Sequence, residues 1–393
     1  MDIPPYEEFL KQMKTNLWLL GTPYGDSKIH LRYYILVITL TIMVTLEGAF
    51  FISGISSENL LELTQLAPCI AVGLLSLLKV ITIAQKREKI FELSESLREL
   101  YNPILANTNE RQLVKHDLVL VKLLVKYFIV LNLVLISVYN FSSFCLMLYH
   151  YLITKEVVFM LPYAILLPFS TDSWIPWIAT YLYSIICGFE CVLFFTTVDG
   201  LYFILTSHVC ANFCIISHTI GSLDETKVNI LGEIVKRHQY ILKLAEDLED
   251  IFTAPNLFNV LVGSLEICAL GFNLTTGSWE QLPGNLLFLT SVLLQILMMS
   301  VFGENIIRES TKIADAAFLC NWYKMDELSK KTILTVMIRF STRRSARRFS
   351  TVTPFKSIQY EETWSYLRRL KMNQMQLFRS WSSLLSRSAF RSK

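Results

Sequence analysis

Six long apolar runs constrain this chain more than any other feature of its sequence. Each holds about 20 residues, the length that an α-helix needs to cross ~30 Å of hydrocarbon. Only 18% of the residues are charged, compared with about a quarter in soluble domains. The sequence therefore predicts an all-α, polytopic membrane helical bundle. Its predicted spans cover roughly residues 34–54, 66–84, 127–149, 177–204, 257–275 and 286–303.

The distribution of Lys and Arg predicts the orientation of the bundle. The N-terminal segment contains four of these residues, and the segments after the second and fourth runs contain eight and four. The segments after the first, third and fifth runs contain none, one and none. Because Lys and Arg concentrate in cytoplasmic loops, the N-terminus is predicted to be cytoplasmic. This orientation argues against a G-protein-coupled receptor, whose N-terminus is extracellular.

Several of the predicted membrane helices extend into the cytoplasm. Apolar residues recur with a helical period through residues 230–252 and again through 306–318. The fourth apolar run also continues past residue 204. Such extensions need apolar partners, and an interface between subunits is favoured over packing within one chain. The apolar segment 160–169 is too short to span a membrane and contains two prolines, so it is predicted to be a folded loop.

Five ionisable residues lie within the apolar runs, where a charge is costly and often functional. Two of them, Lys79 and Asp199, lie toward the cytoplasmic ends of their runs, so their side chains are predicted to reach water. Glu190 and Glu266 lie deeper, and pairing with hydroxyl groups, pairing with Lys79 and protonation all remain open. The fifth is Glu47.

No motif in the sequence predicts catalysis, a cofactor or a metal. The chain contains no phosphate-binding loop, dinucleotide fingerprint, HExxH or GxSxG. The cysteine pairs Cys187/Cys191 and Cys210/Cys214 are interpreted as small packing residues rather than metal ligands. The basic run RRSARR at 343–348 is interpreted as a cytoplasmic cluster that sets the topology or contacts anionic membrane lipid, rather than as a nucleic-acid site. We therefore expect a protein that is not an enzyme.

Three segments give the chain a resemblance to a known family. The first is KRHQYILKLAEDLEDIF at 236–252, and the second is the loop LLPFSTDSWIPW at 166–177, followed by YLY. The third is a spaced set of residues after the sixth run. Together with the N-terminus-inside topology, these features over about residues 10–358 resemble the insect odorant receptor family. The spaced set consists of Glu309, Ser310, Ala314, Ala317, Phe318 and Trp322.

The resemblance implies a seven-helix fold and a role in olfaction. Members of this family assemble as tetramers with a shared odorant co-receptor, around a cation pore that the seventh helix lines. They lie in the plasma membrane of sensory neurons and bind a small volatile ligand in the outer half of the bundle. The resemblance divides this chain into a cytoplasmic N-terminal segment (1–33), a membrane bundle with the ligand pocket (34–304), a cytoplasmic anchor segment (305–354) and an atypical basic tail (355–393).

The resemblance also implies candidate site residues. The spaced set after the sixth run is expected to form the cytoplasmic anchor between subunits. Tyr139, Asn140 and Tyr183 are the favoured ligand-orienting residues, because they offer aromatic surface or hydrogen bonds. By their depth in the predicted spans, the expected ligand contacts are Cys69, Ile70, Gly73, Ile136, Tyr139, Asn140, Ser143, Tyr183, Cys187 and Gly188.

A seventh span is expected from the resemblance but is not evident in the sequence. After Gln359, the longest uncharged runs are Met372–Phe378 and Ser380–Ser386, each of seven residues. Because no window of ~20 residues is apolar, the tail is predicted to stay in the cytoplasm or on the membrane surface. Three alternatives to an odorant receptor subunit remain open. They are a gustatory receptor, a non-conducting modulatory variant and a secondary transporter.

Overall fold

The structure, a computed structural model, describes residues 3–26, 28–55, 60–226, 228–276 and 282–347. Within these ranges the chain is almost entirely helical and contains no β-strand. Short 3-10 turns at Val228–Ile230 and Trp322–Lys324 precede two of the helices. The helices are α1 (Tyr6–Leu20), α2 (Leu31–Ser53), α3 (Leu60–Ala106), α4 (Thr108–Thr154), α5 (Trp174–Gly221), α6 (Leu231–Thr276), α7 (Leu282–Leu319) and α8 (Glu327–Arg347).

The six predicted spans lie within α2 to α7, one in each helix. All six helices are long and apolar enough to cross a membrane, which confirms a multi-pass membrane bundle. Helices α3 to α6 have 46 to 48 residues, so each is about 70 Å long and exceeds the bilayer. The predicted helical extensions are therefore present. We call the end of the bundle that carries segment 155–173 the outer end, and the opposite end the inner end.

The N-terminal segment forms a helix, α1, that packs against the inner end of the bundle. Its apolar face is buried, and the hydroxyl groups of Tyr6 and Ser94 lie 3.0 Å apart. The rings of Tyr6 and Phe9 pack edge-on against the His208 ring, with centroids 4.8 and 5.0 Å away. Burial raises the pKa of Tyr6 well above its usual range, so its hydroxyl group stays protonated. Amphipathicity thus makes this segment part of the core.

A left-handed glycine ends α1 and turns the chain toward α2. Gly21 has φ 79° and donates its amide to the last turn of α1. Its carbonyl accepts the amide of His30 at 2.9 Å, just before α2 begins. A Cβ atom at Gly21 would lie 2.6 Å from the backbone nitrogen of Tyr33. Both the positive φ and the close approach therefore require glycine here.

The helix α5 occupies the centre of the bundle. It packs against α1, α2, α3, α4, α6 and α7, and almost every residue between Phe194 and Phe213 is buried. Such all-round burial explains why the sequence of α5 is apolar without a clear helical period.

The segment between α4 and α5 folds over the outer end of the bundle. It contains no helix in residues 155–173, which confirms the predicted loop. The indole nitrogen of Trp177 donates to the carbonyl of Met160 at 3.0 Å. The amide of Leu166 donates to the carbonyl of Leu46 on α2 at 3.3 Å. These bonds fix the loop across the ends of α2 and α5.

The predicted anchor residues lie on the inner extension of α7 and on the turn after it. Three of them, Glu309, Ser310 and Ala317, are buried within this one chain. Ala314 and Trp322 are half-buried, and they pack against the same core. Phe318 is 69% exposed and faces away from the core. Packing within the chain therefore accounts for part of the set, and the interface between subunits stays a prediction. The predicted tail 355–393 lies outside the described residues.

Candidate ligand-binding site

A cavity of about 100 Å³ lies among the outer halves of α2 to α7. A cavity of about 10–15 Å³ on the same measure holds one water molecule, so this one has room for a small organic molecule. Its wall is mostly aliphatic and aromatic, as in most small-molecule sites. It is lined by Leu40, Met43, Val44, Glu47, Cys69, Val72, Gly73, Asn132, Leu135, Ile136, Tyr139, Tyr163, Cys187, Gly188, Cys191, Val192, Phe195, Glu266, Phe288, Ser291, Val292 and Gln295.

The outer loop closes one side of this cavity through Tyr163. The phenol of Tyr163 donates to the side-chain oxygen of Asn140 at 2.9 Å, and its ring lies 5.3 Å from that of Tyr139. A Cβ atom at Gly188 would lie 2.7 Å from the Tyr163 hydroxyl oxygen and 2.9 Å from the Asn140 amide. The absence of a side chain at Gly188 therefore lets the loop reach the cavity wall.

Six of the ten expected ligand contacts line the cavity. The hydroxyl of Tyr139 lies 3.2 Å from the thiol of Cys69, so these two residues join α4 to α3 at the wall. Gly73 allows α2 to approach α3, because a Cβ atom there would lie 2.6 Å from Val44 Cγ2. The six residues are Cys69, Gly73, Ile136, Tyr139, Cys187 and Gly188.

The other four expected contacts lie outside the cavity wall. The backbone carbonyl of Asn140 accepts the Tyr181 hydroxyl at 2.9 Å, and its side chain holds Tyr163. Tyr183 donates to the carbonyl of Thr39 at 2.7 Å and so ties α5 to α2. These two polar side chains therefore fix the wall from behind and do not face the cavity. Ser143 is buried, and Ile70 is half-buried against the core.

Sequence reasoning missed most of the polar groups that face the cavity. The expected contacts were taken from the second, third and fourth spans and left out the first, fifth and sixth. The sixth span supplies Phe288, Ser291 and Gln295. Tyr163 was missed because it lies in a loop whose path the sequence does not define. Glu47 and Glu266 were recognised as ionisable residues within spans. Their acidic character in an apolar run marked them as functional candidates, but they were not predicted to contact the ligand.

A buried polar network lies directly below the cavity. The ammonium group of Lys79 lies 2.9 Å from both carboxylate oxygens of Asp199 and 4.0 Å from the centre of the Phe195 ring. The side-chain amide of Gln295, which also lines the cavity, donates to Asp199 at 2.8 Å. Asn259 donates to the same carboxylate at 3.4 Å and accepts from Gln295 at 3.0 Å. The network joins α3, α5, α6 and α7.

This network corrects one prediction, and a separate hydrogen bond confirms another. Lys79 and Asp199 were predicted to reach water, which is wrong, because their side chains are 0% and 2% exposed. They neutralise each other inside the bundle, where hydrogen bonds from Gln295 and Asn259 complete the pairing. Glu190 accepts the Thr39 hydroxyl at 3.0 Å, so pairing of this glutamate with a hydroxyl group is confirmed.

The cysteines at the cavity do not form a metal site. Cys69, Cys187 and Cys191 line the cavity, but all eight cysteines are free. Within the described ranges, no three His, Cys, Asp or Glu side chains are close enough together to hold a metal ion. The cavity therefore presents thiols, hydroxyls, amides and two carboxyl groups on an apolar wall.

Comparison with known sequences identifies relatives along most of the chain. A family model described as 7tm Odorant receptor matches residues 59–348. The chain is 24% identical over 344 residues to Putative odorant receptor 92a of Drosophila melanogaster, which covers 84% of each protein. It is 24% identical over 339 residues to Odorant receptor 67c of the same species, which covers 82% of each.

Comparison with solved structures shows the same fold. The insect olfactory receptor OR5 from Machilis hrabei superposes with a TM-score of 0.64 at 14% identity, covering 85% of this chain and 89% of OR5. OR5 in complex with eugenol gives a TM-score of 0.67 at 13% identity, covering 86% and 90%. The odorant receptor family consists of receptors and not of enzymes. Since the family model covers well over half of the chain, the protein belongs to the 7tm odorant receptor family.

Proposed function

We propose that this chain is the ligand-binding subunit of a heteromeric, ligand-gated cation channel in the plasma membrane. Its ligand is a small volatile organic molecule, and its partner in a hetero-tetramer is an odorant co-receptor. The observation that carries this proposal is the mostly apolar cavity in the outer half of the bundle. The complex of the similarly folded OR5 with eugenol supports a small organic ligand.

The charge distribution and the exposed apolar residues at the inner end support the proposed orientation and the proposed contact between subunits. The Lys and Arg bias favours a cytoplasmic N-terminus. The inner end then carries exposed apolar side chains in a polar medium, including Phe318, Leu319 and Leu328. Such residues favour contact with a second subunit over exposure to water. Phe318 is therefore the anchor residue that we propose to contact the partner directly.

The experiment that tests the proposal is a current recording with a cavity-filling variant. The chain is co-expressed with an odorant co-receptor in cultured cells, and currents are recorded during exposure to a panel of volatile compounds. Ile136→Trp fills the cavity wall from α4, so the ligand concentration for half-maximal current is expected to rise at least tenfold. Val134→Trp is the matched control, because Val134 lies on the same helix and is 52% exposed.

The outcomes separate the proposed function from its alternatives. A cation current that Ile136→Trp weakens and Val134→Trp preserves supports the proposal, provided that surface expression is equal. Uptake of a substrate without current supports a secondary transporter. A chain that adds no odorant-evoked current of its own but alters the currents of other receptor complexes supports a non-conducting modulatory variant. Membership of the odorant receptor family favours an odorant over the ligand of a gustatory receptor.

A further inference from the structure

Two carboxyl groups face the same apolar cavity. Glu47 projects from α2 and Glu266 from α6, and both line the cavity. Their exposed fractions are 3% and 2%, so water covers neither side chain. The Oε1 atom of Glu266 is buried and has no hydrogen-bond partner within the described residues. A buried carboxylate oxygen without a donor is unusual, because leaving it unpaired costs free energy.

The other ionisable groups in the membrane part already have partners. Lys79 bonds to both oxygens of Asp199, and Glu190 accepts from Thr39. Lys79 interacts with Glu266 electrostatically, but its ammonium group forms its hydrogen bonds with Asp199. The described membrane part thus holds one buried basic residue and four buried carboxyl groups. Acidic groups are in excess at the cavity.

An excess of carboxyl groups in an apolar site can be neutralised by protons or by a bound cation. An unpaired carboxylate in a medium of low dielectric constant is very costly. A ligand that carries a positive charge removes this cost when it binds, whereas a neutral ligand leaves it in place. The cavity also offers the aromatic rings of Tyr139 and Phe288. Aromatic faces attract cations and pack against hydrocarbon.

We propose that the cavity binds a small aliphatic amine in its ammonium form. The inference rests on the proposed function and specifies the chemical class of the ligand. The ammonium group donates to the unpartnered carboxylate oxygen of Glu266, and Glu47 supplies a second negative charge. The hydrocarbon body lies against the apolar wall formed by α4, α5 and α7. The competing outcome is tighter binding of a neutral ligand that accepts a hydrogen bond from a protonated glutamate.

The experiment measures binding of two probes of equal length to the purified full chain. The chain is placed in nanodiscs of zwitterionic phosphatidylcholine at pH 7.4, so that anionic lipid does not attract the amine. The probes are hexylamine and 1-hexanol, which differ in the charged head group. We expect the dissociation constant of hexylamine to be at least tenfold lower than that of 1-hexanol.

Isosteric variants assign the preference to the cavity carboxyl groups. Glu266→Gln is expected to raise the dissociation constant of hexylamine at least tenfold and to leave 1-hexanol within about twofold. Glu47→Gln is the second variant and is used if Glu266→Gln does not fold. It is also expected to weaken hexylamine binding. Glu190→Gln is the matched control, because Glu190 is a buried glutamate outside the cavity lining. It is expected to keep the amine preference.

The results distinguish failure of this inference from failure of the proposed function. Equal or tighter binding of 1-hexanol, or an amine preference that survives both Glu266→Gln and Glu47→Gln, overturns the amine inference and leaves the receptor proposal intact. Binding of neither probe overturns the amine inference as well. It also counts against the receptor proposal if the volatile panel evokes no current from the co-expressed chains.

Discussion

Single ionisable residues in the membrane part differ in how their charges are neutralised. Lys79 and Asp199 neutralise each other, and Gln295 and Asn259 complete the hydrogen bonds of the carboxylate. Because Gln295 also lines the cavity, a ligand that displaces its amide alters a bond to the ion pair. The pair is therefore a structural element that is linked to the cavity wall through Gln295.

Removing one partner of this pair is expected to destabilise the protein strongly. Lys79→Met leaves Asp199 charged and buried, so the free energy of unfolding is expected to fall by about 3–5 kcal/mol. The measurement is the melting temperature of the purified chain. The double variant Lys79→Met/Asp199→Leu is expected to recover most of the loss, because an apolar pair can replace a buried ion pair.

An exposed ion pair that includes another lysine of α3 provides the control. Lys89 bonds to Asp250 at 2.9 Å and is 60% exposed. Lys89→Met is expected to leave the melting temperature almost unchanged, since water screens exposed pairs. Equal decreases in melting temperature for the Lys79 and Lys89 variants would show that burial of the Lys79–Asp199 pair does not affect its contribution to stability.

At the level of secondary structure elements, α1 is a part of the core rather than a free terminal arm. Its residue Met13 is fully buried, and the Sδ atom would lie 2.7 Å from a Cβ atom at Gly200. A side chain at Gly200 would displace the thioether of Met13, so glycine at this position lets α1 pack closely against α5. The stability of the inner end therefore depends on a helix of only 15 residues.

The contribution of α1 can be tested with a buried charge. Met13→Asp places a carboxylate against α5 without a partner, so a loss of several kcal/mol in stability is expected. Thr15→Asp is the control, because Thr15 is exposed on the same helix. The measurement is the fraction of monodisperse protein on size-exclusion chromatography after mild heating. Equal fractions for the two variants would contradict the packed role of α1.

At the scale of the whole molecule, the orientation of the bundle determines where each surface acts. An epitope tag before Met1 is expected to bind antibody only after cells are permeabilised, because the N-terminus is predicted to be cytoplasmic. A tag inserted after Asp172, an exposed residue of the outer loop, is expected to bind antibody on intact cells. A tag after Lys393 is expected to be accessible only after permeabilisation, because the tail lacks an apolar run.

The tag positions serve as controls for one another. Staining of intact cells at Lys393 would mean that the charged tail crosses the membrane and that the chain has a seventh span. Staining of intact cells at the N-terminus would overturn the orientation. Each result is read with the co-receptor present, since assembly is part of the proposed function.

The sequence predicted the helices well because membrane spans depend on a simple quantity. Each span needs about 20 apolar residues whatever surrounds it, so six helices follow from composition alone. The cavity depends instead on rotation and on long-range contacts. Asn140 and Tyr139 are neighbours in sequence, yet one holds Tyr163 while the other faces the cavity. The pairing of Lys79 with Asp199 spans 120 positions, and no local pattern reveals it.

The length of the helices has a mechanical consequence. The central helix α5 runs for 48 residues with no proline beyond its first turn, so it is a stiff rod of about 70 Å. Its neighbours α3 and α6 contain Pro68, Pro103 and Pro255, and prolines concentrate bending where they occur. Pro68 lies next to Cys69 at the cavity. A ligand that slightly separates the helices at the cavity would change the bend of α3 at Pro68. Because α3 is long, a small change of angle there would produce a larger displacement at its inner end.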